Sequence, residues 1–214
     1  MARPKKKVVT LGRDPRAMGA RCDECPLKGA QPVWGDGPAN AKIAVIGEAP
    51  GRDEVRAGKP FIGRSGELLD NYLAKVGAPR STVWTSNALL CFPPGGDLDT
   101  YLKVSKKEFK AAGKTWTHPI ECCRARLLKE LRVPKCMSCG KFVRGPPVVV
   151  CTCRSPIPVE PVGGEGPQYV AATGNAALEA LTGVSGIMRF RGSMLDMEQR
   201  RKRLVQWTPE EKKK

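Results

Sequence analysis

No stretch of this 214-residue chain approaches the ~18 consecutive apolar residues of a membrane-spanning helix, so a helical membrane protein is set aside. The basic start at 1–7 is not followed by an apolar segment, so it does not read as a secretory signal, and a cytoplasmic protein is expected. No internal repeat is found. Acidic residues are scarce: 21 Asp and Glu stand against 37 Lys and Arg, a formal net charge of +16. Such an excess attracts polyanions, of which DNA is the commonest. The plainer alternative is a solubilising surface with sticky tails, because the basic runs at 5–7, 200–203 and 212–214 lie at the two ends.

What is present points to a folded domain. A composition of 41% hydrophobic and 27% charged residues is globular, and the length suits one domain with a small insert. Nine cysteines in a chain expected in a reducing compartment suggest metal rather than disulfides. They divide as four, four and one spare. Cys22 and Cys25 form a C-x-x-C pair, able to grip one metal from a tight turn. Cys91 follows later, and Cys122 and Cys123 begin a segment with Leu127, Leu128 and Leu131 at helical spacing. Cys136, Cys139, Cys151 and Cys153 form C-x-x-C with C-x-C, compact enough for a zinc knuckle. The alternative for this quartet is a cysteine-rich loop without metal. Spacing alone does not identify a metal for the scattered early set.

Periodicity gives the architecture. The apolar run 43–47 (IAVIG) reads as a buried strand ending in a sharp Gly-Glu-Ala-Pro-Gly turn. Ser65 is positioned to cap a helix running to about Val76, with Leu68, Leu69, Tyr72, Leu73 and Val76 as its apolar face and Gly77 as its stop. The segments 82–85 (TVWT) and 169–173 (YVAAT) read as two further strands, and a helix follows from Asn175 to Gly183. The segments 92–119 and 136–166 read as loops or inserts. Strand–helix–strand alternation predicts an α/β fold, a three-layer αβα arrangement around a central parallel sheet. The expected organisation is a basic arm at 1–20, a domain at 21–192 carrying a Cys-rich insert at 136–166, and a charged tail at 193–214. In such sheets ligands bind beyond the carboxyl ends of the strands, where the 47–51 turn and Asn87 both fall.

Several of these segments carry a resemblance. Residues 47–54 (GEAPGRDE) and 59–70 (KPFIGRSGELLD) together are similar to the first signature of the family 4 uracil-DNA glycosylases, the 4Fe–4S class. Residues 85–87 (TSN) running to 91–94 (CFPP) resemble the second segment of that family. Cys123 with Leu127 resembles its fourth-cysteine helix. Residues 169–177 resemble its later strand and helix, and 189–192 (RFRG) the basic segment beyond.

The resemblance implies an enzyme that hydrolyses the N-glycosidic bond of deoxyuridine in DNA, with uracil-containing DNA as partner. It implies that Cys22, Cys25, Cys91 and Cys123 hold a 4Fe–4S cluster, with Cys122 the less favoured fourth ligand. It implies that the nucleotide is flipped from the stack, that Phe61 stacks on the base, and that Asn87 reads its O4 and N3–H edge with a carboxamide. The turn of Gly47, Glu48, Ala49, Pro50 and Gly51 would approach the sugar and hold the attacking water. In sister families an aspartate stands where Ala49 stands here, so Glu48 is the preferred carboxylate for orienting water, and Glu54 is read as a surface carboxylate on the loop. Arg52, Arg56, Lys59, Arg64, Arg189 and Arg191 could meet phosphates. Outside the motif, Phe61 would read as core packing and Asn87 as a turn cap.

The chain also departs from the family. Its single histidine, His118, precedes Cys123, whereas the family places a His-Pro-Ser type motif after a late strand. The expectation is a truncated, split or diverged copy. Losing one such donor costs ~2.7–4 kcal/mol of transition-state stabilisation. The alternative to a working glycosylase is a catalytically impaired, metal-bearing DNA-binding homologue. A third reading is an interaction module whose zinc knuckle docks a replication or repair protein.

Overall fold

The computed structural model describes residues 14–132, 135–136, 159–160, 166–167 and 169–183. Its centre is a parallel three-stranded sheet of β1 (Ile43–Gly47), β2 (Val83–Asn87) and β5 (Tyr169–Ala172), in the order β2-β1-β5. Alternate residues of β1 face opposite sides. Ala44 and Ile46 join one core with α4 (Pro119–Glu130) and α5 (Asn175–Thr182), through Ile120, Leu127, Ala177 and Leu181. Val45 and Val83 face the other side and meet Leu73 of α2 (Arg64–Lys75). These two cores on the two faces of one sheet are the expected αβα sandwich. The outer edge of β2 is covered by the chain's own preceding segment. Asp36 and Thr85 exchange backbone hydrogen bonds of 2.8 Å each way, and Val33 N–H donates to Leu90 at 2.8 Å.

The structure corrects three readings. The helix α2 begins at Arg64 after Gly63, so Ser65 lies inside its first turn rather than capping it. Of its proposed apolar face only Leu73 is buried and Leu69 partly so, while Leu68, Tyr72 and Val76 are 56%, 58% and 75% exposed. The segment 92–119 is not a loop: α3 (Leu98–Ala111) occupies its middle, with the Asp97 carboxylate capping the amides of Asp99 and Thr100. Its inward residues Leu98, Tyr101, Leu102, Ser105 and Phe109 follow helical spacing, a signal obscured by the lysines between them. At the base of the cysteine-rich stretch, β3 (Lys135–Cys136) pairs antiparallel with β4 (Val159–Glu160). Cys139, Cys151, Cys153, Arg189, Arg191 and residues 1–13 of the arm expected at 1–20 lie outside the described residues, as does the tail.

Candidate active site and thiol cavity

The parallel register sets the site. Gly47 and Asn87 are ladder partners at the carboxyl ends of β1 and β2. The order β2-β1-β5 sends the chain to opposite sides of β1, so a crevice opens at that end of the sheet. A cavity of about 180 Å³ lies there, lined by Gly47, Glu48, Ala49, Pro50, Glu54, Phe61, Ser65, Asn87 and Thr173. The turn, the ring and the carboxamide singled out in the sequence therefore share one cavity. Their closeness explains the first glycine. A methyl group on Gly47 would collide with Asn87 Oδ1 and stand 2.9 Å from Phe61 Cζ.

Asn87 is 4% exposed, and its backbone is held from behind. The fully buried Arg126 of α4 donates to the carbonyls of Asn87 and Ala88, both at 2.9 Å, and pairs with Glu130. Phe61 has a left-handed backbone, φ 55°. For a bulky side chain that conformation costs about 1–3 kcal/mol and persists only where its surroundings impose it.

Two carboxylates reach the cavity. Desolvation against the wall, reinforced by Asp99 and then Asp97, raises the Glu48 carboxyl above its usual range. Glu54 is not the surface loop carboxylate expected. It lies in α1 (Arg52–Ala57) and is 8% exposed, and its Oε1 accepts the Gly63 N–H at 3.0 Å. A side chain on Gly51 would collide with Glu54 Oε2, so the glycine lets this carboxylate fold back over the turn. Gly51 itself caps α1 rather than lining the cavity. Ser65 and Thr173 were missed as site residues. The signal for Ser65 was its place within the 59–70 motif, and for Thr173 its position at a strand end.

The basic residues around the turn are partly engaged with acids: Arg56 pairs with Asp53 at 2.9 Å and Lys59 with Asp36 at 3.8 Å. His118 lies elsewhere. It caps α4, its Nδ1 accepting the Ile120 N–H at 3.2 Å, with Trp116 edge-on at 5.5 Å. Burial holds it below the usual imidazole range, in keeping with that acceptor role.

A second cavity, of about 270 Å³, gathers Cys22, Cys25, Cys91, Cys122 and Cys123. Burial pushes the Cys25 thiol far up and Cys91 up to about 12, with neighbouring thiols adding to both. Among the described residues no three His, Cys, Asp or Glu are drawn in around the position of a single ion. Five sulfurs around a space of this size fit a multi-atom group, and an all-thiolate donor set suits iron–sulfur chemistry.

The chain is similar in sequence to known proteins. The chain is 42% identical over 77 residues to the Type-4 uracil-DNA glycosylase of Pyrobaculum aerophilum, covering 34% of this chain and 38% of that protein. The Type-4 uracil-DNA glycosylase of Archaeoglobus fulgidus is 41% identical over 87 residues, 40% of this chain and 44% of that protein. That of Saccharolobus solfataricus is 40% identical over 113 residues, 50% of this chain and 49% of that protein. The chain thus spans about two fifths to half the length of these relatives. The family model of the uracil DNA glycosylase superfamily matches residues 34–142, half of the chain and the whole run from the edge-covering segment through α4. By that match the chain belongs to the uracil-DNA glycosylase superfamily.

Proposed function

We propose that this protein excises uracil from DNA, hydrolysing the N-glycosidic bond of deoxyuridine and leaving an abasic site. The observation that carries the reading is the Gly47 cleft, walled by the Asn87 carboxamide on one side and the Phe61 ring on the other. The carboxamide offers a donor and an acceptor side by side, complementary to O4 and N3–H of uracil and mismatched to cytosine. An aromatic wall stacks the flipped base, and Glu48 or Glu54 at the cavity orients the attacking water. Glu54 is anchored through Oε1 to Gly63, which leaves its Oε2 over the Gly51 end of the turn.

Cys22, Cys25, Cys91 and Cys123 would hold a 4Fe–4S cluster, with Cys123 preferred to Cys122 for its spacing to Leu127, since both thiols line the cavity. The cluster would tie the N-terminal segment, the loop after β2 and α4 together. A zinc ion on Cys136, Cys139, Cys151 and Cys153 remains a reading of sequence spacing alone.

The test is incubation with a uracil-containing oligonucleotide followed by alkaline heating. A strand break at uracil is expected, and Asn87→Ala is expected to abolish it while salt-sensitive DNA binding persists. Intact strands with retained binding would replace this reading by that of a non-catalytic DNA-binding homologue.

A further inference from the structure

We propose that Arg80 is a positioning residue that locks Phe61 in its base-stacking pose. This rests on the reading of Phe61 as the stacking wall. Arg80 lines no part of the cavity, yet its guanidinium lies 5.7 Å from the Phe61 ring centroid. Its Nη2 donates to the Pro60 carbonyl at 3.3 Å, to the Phe61 carbonyl at 3.5 Å and to Thr85 Oγ1 at 3.2 Å, while Nη1 pairs with Asp70 at 3.0 Å. One planar fork thus grips the strained residue's own carbonyl and its ring, and fastens both to β2 and α2. Gly66 completes the clamp, since any side chain there would collide with the Phe61 carbonyl. The left-handed backbone at Phe61 needs such a constraint. Only a forked, always-charged group can serve all these acceptors together; an ammonium cannot reproduce the geometry. The Arg80 side chain is 29% exposed but also bonds the buried Thr85, so Tm is measured beside activity to separate a local effect from general destabilisation.

The experiment is a double-mutant cycle of Arg80→Gln with Phe61→Leu, read by kcat/KM on uracil DNA, by fluorescence of 2-aminopurine beside the uracil, and by NMR of the DNA-free protein. Arg80→Gln is expected to lower kcat/KM at least about tenfold in the parent and less than about twofold in the Phe61→Leu background. It should also weaken the extrusion signal and move the Phe61 ring and Gly66 amide resonances, with Tm nearly unchanged. Arg80→Lys should recover part of each. Equal losses in both backgrounds, or unmoved Phe61 and Gly66 resonances, would overturn the proposal. The NMR arm needs no turnover, so failure of the clamp is distinguishable from failure of the glycosylase reading, which the parent protein's strand cleavage tests.

Discussion

At the scale of single residues, the cavity depends on an absent side chain and on two acids of unequal setting. Gly47→Ala would drive a methyl group between Asn87 and Phe61. Misplacing reacting groups by an ångström costs about a hundredfold, so cleavage should fall at least that far, while circular dichroism stays native. A loss of less than fivefold would show that the cleft is not where the base sits. Glu48 is raised by desolvation, then by Asp99 and Asp97. If Glu48 works ionised, activity falls as pH drops through its pKa, and it does so at higher pH than for an ordinary carboxylate. Asp99→Asn removes one raising charge, so the acid limb of the kcat/KM profile should move to lower pH. Asp99 is the better target because Asp97 also caps α3. An unmoved limb would assign the water-orienting role to the other carboxylate.

At the scale of elements, α4 joins the two cavities: it carries Cys122 and Cys123 in its first half and Arg126 one turn later. Arg126 holds the backbone of Asn87 and Ala88, and a few residues on the same strand-loop delivers Cys91 to the thiols. Arg126→Met leaves two carbonyls and Glu130 without this buried partner. The expected loss is about 3–5 kcal/mol in urea unfolding, against a change under 1 kcal/mol if the guanidinium only fills space. Arg126 also shows what sequence reading reaches. The strands and the motif glycines were legible, because short apolar runs and turn residues are local signals. Arg126 was not, since a charged residue in a lysine- and arginine-rich chain looks like surface until the fold buries it. Glu54 was misread for the same reason. The helix α3 was hidden by its lysines, and the exposed Leu68, Tyr72 and Val76 show that helical spacing alone does not say which stripe is covered.

At the scale of the whole molecule, thiols and net charge set the conditions for folding and for DNA. The raised thiols stay neutral near pH 7 and can be buried without metal, so only removal of the proposed cluster tests its weight in folding. If Cys22, Cys25, Cys91 and Cys123 hold the proposed cluster, chelating its iron should lower Tm and abolish visible absorbance together, and Cys123→Ser should do the same where Cys122→Ser retains colour. An unchanged Tm on loss of colour would make the cluster a passenger. The surplus of +16 should give a DNA affinity that falls linearly in a log–log plot against salt. The covering of β2 by the segment around Val33 and Asp36 has a further result. That flank of the sheet cannot template a foreign strand, so it is shielded from edge-to-edge aggregation. Among the described residues, no strand pairs with the outer edge of β5, the other flank of the sheet.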